Sequence, residues 1–229
     1  MGIVASVIDE SFPPKSKFNV DDIPDLSGKV VIVTGANSEW LTKNGYDLQI
    51  GSMVLGHFYL TKLLLPVLIS GAKSSPDGKS RVVHTSSIGS LGPSDFDFNV
   101  LKDGPARRKM HPGKLYSLAK LGNVLLSNEL AKRYGDQGLV SISCNPGNLE
   151  SDLLRHSPWL LKFVIGLFLH PTKLGALTQL WAGTSAEASQ LNGEYLIPWA
   201  RVGKPNVLAL DSKLCSDLWE WMEEQVQDV

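Results

Sequence analysis

The 229-residue sequence predicts an α/β fold built on a parallel sheet of about four strands. Three observations carry this. Short runs at 29–34, 81–86 and 139–144 read as strands, and the first is continuously β-branched, as strands buried on both faces are. Longer stretches of helical periodicity separate them. Turn residues close each run: Gly35-Ala36-Asn37-Ser38 after the first, and Asn145-Pro146-Gly147 after the third.

Residues 1–28 read as an N-terminal extension without regular structure, because Phe12-Pro13-Pro14-Lys15 and Ile23-Pro24-Asp25 interrupt it. A single domain then fills 29–229. Its strand 29–34 lies beside strand 81–86 or stands apart from it. A helix covers 46–69, kinked or ended by Pro66. A polar loop follows strand 81–86 as far as Pro112-Gly113. The clearest helix is 115–134, where Leu118, Leu121 and Leu125 share a face and Gly135 stands at the C-terminal cap. After strand 139–144 come a mixed apolar segment at 151–170, a helix at 172–186, a strand at 193–199 and an amphipathic helix at 208–226. Strands that alternate with helices imply βαβ units with right-handed crossovers.

Composition excludes several functions. With 22 basic and 23 acidic side chains, the net charge of −1 offers no cationic excess for nucleic acid or an anionic membrane. The 43% apolar and 20% charged fractions are those of an ordinary globular chain. Cys144 and Cys215 form no disulfide framework, which fits a reducing, cytoplasmic setting. The histidines at 57, 84, 111, 156 and 170 have no metal-ligand spacing. The longest apolar stretch, 158–169, contains Lys162 and is too short to span a bilayer, so no transmembrane segment is expected. Met1-Gly2-Ile3-Val4-Ala5-Ser6 fits the pattern for acylation of Gly2, which alone anchors a protein only weakly at a membrane periphery.

The sharpest chemical signal is Tyr116 and Lys120, at i and i+4 on one helical face, extended by Asn123 and Ser127. An ammonium beside a phenol favours the phenolate and so creates a proton donor and acceptor usable near neutral pH. Thr85-Ser86-Ser87 ends a strand at the carboxyl edge, where open α/β sheets bind ligands, and a hydroxyl there can hydrogen-bond a carbonyl. Thr34-Gly35 ends the first strand and Pro146-Gly147 follows the third, at the same edge.

Taken in this order, the signals resemble the short-chain dehydrogenase/reductase family, most closely its fungal retinol-dehydrogenase-like branch. Further segments share the likeness: Tyr46-Asp47-Leu48-Gln49, Val54-Leu55-Gly56-His57-Phe58, Gly175-Ala176-Leu177-Thr178 and Asn192-Gly193-Glu194-Tyr195. The resemblance implies a Rossmann-like doubly wound parallel sheet, truncated here to about four strands instead of seven. It implies NAD(P)-dependent interconversion of an alcohol and a carbonyl, with NADP favoured by family tendency, and a place in secondary metabolism. Tyr116 is then the proton donor and acceptor, Lys120 its neighbouring cation and a ribose ligand, and Ser87, the second serine of its pair, the residue that orients the carbonyl. Cofactor contacts fall on Thr34, Gly35, Lys62, Tyr116, Lys120, Leu149 and Ser151. The apolar region 153–169 implies a lipophilic alcohol or ketone as substrate, and the helix of Tyr116 commonly serves the family as an oligomer interface.

The departures are specific. Where the family's first turn carries its second and third glycines, this chain has Glu39 and Leu41. Glycine there lets the backbone approach a pyrophosphate, whereas a carboxylate repels it. Met53 replaces the family's active-site asparagine. Two βαβ units, roughly 70 residues, are missing between Ser38 and Glu39. Two explanations follow: a break in the gene model, or a chain that exists as written and survives as an inert remnant acting in binding or dimerisation.

Overall fold

All six residues of strand β2, Leu139–Cys144, are buried, and the remaining elements are arranged about it. The computed structural model describes residues 3–32, 41–150 and 169–227. Strand β1, Ser80–Thr85, pairs with β2 in parallel, in a register running from Ser80 opposite Leu139 to Thr85 opposite Cys144. Strand β3, Tyr195–Ile197, adds in parallel on the other side of β2. The fourth strand, β4 at Arg201–Val202, is antiparallel to β3 and only two residues long. The order is therefore β1-β2-β3-β4, an α/β sheet with three parallel strands where four were expected. No strand among the described residues pairs with the outer edge of β1, which leaves its residues half-buried.

The helices follow from local chemistry. Helix α1, Ile3–Ser11, corrects the expectation of an irregular extension. Pro13 disfavours helix only at Phe12 and beyond, so the nine residues before it are free to coil. Helix α2 runs unbroken over Leu48–Ser74. Asp47 caps its first amides, those of Gln49 and Ile50, and Arg107 in turn binds Asp47 at 3.0 Å. Pro66 neither ends nor bounds α2, because it lies on the exposed face, where solvent satisfies the carbonyl freed one turn earlier. By length and composition α2 is apolar enough to cross a membrane, contrary to the sequence expectation. In this fold it buries Phe58, Thr61, Leu65 and Ala72 and exposes Leu63 and Val67.

A short helix α3, Pro105–Lys109, precedes the long helix α4 at Pro112–Tyr134. Pro112 opens α4 where its missing N–H is no loss, and the His111 ring accepts the Gly113 amide at 3.1 Å. The predicted cap Gly135 stays right-handed, and the left-handed residue is Gly138, at φ 87°. A side chain there would collide with the Gly78 carbonyl, 2.7 Å from an added Cβ. Helices α5, Thr172–Thr184, and α6, Ser212–Gln225, complete the set.

Helix α4 carries the core. Leu118, Leu121, Leu125 and Leu130 are buried among Phe58, Leu218 and Trp219 of α2 and α6. Leu125→Ala removes a wholly enclosed isobutyl group, and the expected cost is about 2–5 kcal/mol of stability, read as a lowered urea midpoint. An unchanged midpoint would show that the side chain contributes nothing to the core.

The run at 29–34 is not the buried strand its residues suggest. Over the described part, Val30, Val31 and Ile32 are 89%, 69% and 60% exposed and belong to no strand. Such a run is buried only when strands flank it on both sides, and none does so among the described residues.

Candidate active site

The parallel pairing of β1 with β2 brings three strand ends to one edge of the sheet. The Ser86 amide donates to the Cys144 carbonyl at 2.7 Å, and the Asn145 amide donates to the Leu196 carbonyl at 2.8 Å. Ser86-Ser87, Asn145-Pro146-Gly147 and the end of β3 therefore lie side by side. Helix α4 crosses this edge, with Tyr116 and Lys120 both half-buried.

Lys120 is held by the end of β1. Its Nζ donates to the Thr85 carbonyl at 3.1 Å and lies 5.6 Å from the centroid of the Tyr116 ring. Ser86 locks the same helix turn, donating from Oγ to the Lys120 carbonyl at 2.8 Å. Burial pushes the Lys120 ammonium below its ordinary pKa, while the adjacent Cys144 acts in the opposite direction. The nearby ionisable groups are neutral near pH 7. Burial presses His84 down to about 3 and also lowers His57, which Lys120 lowers further, while burial lifts the Cys144 thiol to about 12. No carboxylate pairs with Lys120 among the described residues, so its charge is available to Tyr116.

Ser87 opens the turn that lies against the ring. Its Oγ accepts the Gly89 amide at 3.2 Å and so caps the turn Ile88–Leu91. That turn rests on Tyr116: a Cβ added at Gly89 would lie 3.4 Å from Tyr116 Cε1. Ser86 is spent on the backbone of α4, whereas Ser87 keeps its own proton to donate.

The remaining predicted residues lie elsewhere. Lys62 pairs with Glu223 of α6, so its recorded contact leads to the C-terminal helix and not to the cluster around Thr85. Leu149 packs against Gly175 of α5, where any side chain would collide with it. Met53 is buried in the main core. Thr34, Gly35, Ser151 and most of the apolar region 153–169 lie outside the described residues.

Two features of the site had no sequence signal. The first is the Thr85 carbonyl, which accepts from both Lys120 Nζ and Asn123 Nδ2, the latter at 2.9 Å, while Gln179 holds the Thr85 hydroxyl at 2.9 Å. Asn123 and Ser127 continue the polar stripe of Tyr116 and Lys120, and all of it faces the strands: Ser127 Oγ lies 3.0 Å from Ser141 Oγ on β2. The second is Glu10 of α1, buried at the same sheet edge.

No family model matches the chain. Comparison with individual proteins is more informative. Two short-chain dehydrogenase/reductases of Armillaria gallica are each 39% identical to it, aligned over the whole of both chains. The chain belongs to the short-chain dehydrogenase/reductase family. A solved structure of an uncharacterized protein from Mycobacterium Paratuberculosis is similar to this short-chain dehydrogenase/reductase with a TM-score of 0.60 and 26% identity. The match covers 82% of this chain and 62% of that one. The first Armillaria alignment runs over 313 positions, whereas the chain has 229 residues, a difference of 84.

Proposed function

We propose that this short-chain dehydrogenase/reductase transfers hydride between a nicotinamide dinucleotide, with NADP preferred over NAD, and a lipophilic alcohol or ketone of secondary metabolism. The observation that supports this best is the joint placement of Lys120 and the Ser87–Gly89 turn against the Tyr116 ring. In the reductive direction Ser87 donates a hydrogen bond to the substrate carbonyl, and Tyr116 gives its proton to the same oxygen. Lys120 stabilises the negative charge that gathers on the Tyr116 oxygen as the proton leaves. The Thr85 carbonyl and the Ser86 hydroxyl fix Lys120 and its helix turn, so this stabilisation costs no reorganisation. The cofactor, when bound, supplies the hydride to the carbonyl carbon.

The described residues fit the nicotinamide end of such a cofactor. Tyr116 and Lys120 lie beside the end of β1, and Asn123 Oδ1 is a buried acceptor without a hydrogen-bond partner among the described residues. At the adenosine end, no described strand flanks β1. We attribute this to an internal deletion between Ser38 and Glu39, which the surplus of 84 aligned positions in the Armillaria relative supports.

Titrating NADPH into the purified chain, with its fluorescence as the readout, tests the reading. A saturable change at millimolar cofactor or below is the expected result. No change at millimolar cofactor would overturn it and leave the rival, a remnant that acts in binding or dimerisation.

A further inference from the structure

Helix α1 is bound across the sheet edge that carries the site. Five of its groups are committed there. Glu10 is only 1% exposed, and its Oε2 accepts from Asn145 Nδ2 at 2.7 Å and lies 3.3 Å from the Tyr195 hydroxyl. The Ser11 hydroxyl accepts from Asn148 Nδ2 at 3.3 Å, and the Ser11 carbonyl lies 3.0 Å from His170 Nε2. Asp9 is gripped by Arg201, whose Nη1 meets both carboxylate oxygens at 3.0 Å and whose Nη2 donates to the Asp9 carbonyl at 3.2 Å.

The placement matters more than the number of contacts. Asn145 and Asn148 bracket Pro146-Gly147 at the carboxyl end of β2, and Tyr195 belongs to β3. The Tyr195 hydroxyl also lies 3.5 Å from the Ser87 carbonyl, so one phenol separates Glu10 from the backbone of Ser87. In open α/β sheets the crevice outside the carboxyl ends of the strands is where ligands bind. Here a helix of the same chain lies against that end of β2 and β3.

We propose that α1 is an autoinhibitory segment that plugs the crevice at the carboxyl ends of β2 and β3, so that a ligand entering beside Tyr116 and Ser87 has to displace it. This rests on the reading that the crevice binds a nicotinamide cofactor. The attachment suits a releasable element. A carboxyl group enclosed without a cationic hydrogen-bond partner is a costly residue to bury, and the Asp9–Arg201 pair that clamps the helix is half exposed, so its hold is weak. The apparent affinity of a site open in only a fraction of molecules falls by that fraction.

The experiment combines NADPH titration with hydrogen exchange of the α1 amides, in the intact chain and in a D9R/E10K variant. Like charges then face each other at Arg201, and a cation is forced into the Glu10 slot. Circular dichroism confirms that the variant keeps its fold. The expected result is rapid exchange of the α1 amides in the variant, with an apparent Kd for NADPH lowered about tenfold or more. In the intact chain, saturating NADPH is expected to speed exchange of the same amides, because displacement is reciprocal. Equal affinity in both proteins, or α1 amides that NADPH protects further, would overturn the plug while leaving the cofactor reading intact. No NADPH binding by the variant, despite freely exchanging α1 amides, would overturn both.

Discussion

Tyr116→Phe is expected to reduce the rate of NADPH-dependent carbonyl reduction by about 10²–10⁴-fold, with KM for the cofactor nearly unchanged, because it deletes only the proton that reaches the substrate oxygen. The ring, which supports the Ser87–Gly89 turn and receives Lys120, is retained. Tyr116 is half-buried and no hydrogen bond holds its hydroxyl among the described residues, so the variant should unfold at the same urea concentration as the parent. Steady-state turnover of a lipophilic ketone, followed by loss of NADPH absorbance, gives the answer. A variant that retains a tenth or more of the parental kcat would remove Tyr116 from the chemistry.

Glu10 predicts a second large effect, this one on stability. Burial lifts its carboxyl from 4.5 to about 7, against the opposing pull of the Asn145 and Tyr195 hydrogen bonds and of Arg201. The folded chain therefore holds the Glu10 proton more tightly than the unfolded chain does. The stabilisation is fully present below pH 4.5, shrinks as pH rises, and is gone above about pH 7. Its size is about 3 kcal/mol. The groups that set this balance are Asp9 on α1, Asn145 after β2, Tyr195 on β3 and Arg201 on β4. Glu10→Gln keeps the acceptor and cannot ionise. Urea unfolding of parent and variant across pH 4.5–7.5 should therefore show the parent losing ground to the variant as pH increases. Parallel curves would mean that Glu10 ionises without cost where it lies. Loss of this stabilisation at neutral pH falls on α1, the element that closes the crevice.

The parts of this fold that sequence reveals are those where one residue pattern has one structural solution. β2 matches its expected limits because a strand buried on both faces must be apolar or small at every position. Tyr116 and Lys120 are legible together because helical periodicity alone brings them to one face. The run at 29–34 misleads because its residues record what would flank it, and no strand flanks it among the described residues. Pro13 and Pro14 hide α1 because a proline constrains itself and the residue before it, not the nine residues upstream. β4, two residues long, is too short for any pattern. The anchor of Lys120 is a main-chain carbonyl, and every residue type carries one. Glu10 reads as an ordinary surface acid, and only the tertiary path of the chain encloses it.

The open side of β1 has a consequence for how these molecules meet one another. Among the described residues no strand pairs with its backbone donors and acceptors there, and the exposed Val30–Ile32 segment is a β-branched ribbon that belongs to no described sheet. One molecule's ribbon is a template match for its neighbour's edge, a combination that builds fibrils and precipitates from otherwise folded proteins. Lys29 and Arg81 are charges carried by these two segments. Their replacement by neutral residues would remove charge that opposes chain-to-chain stacking.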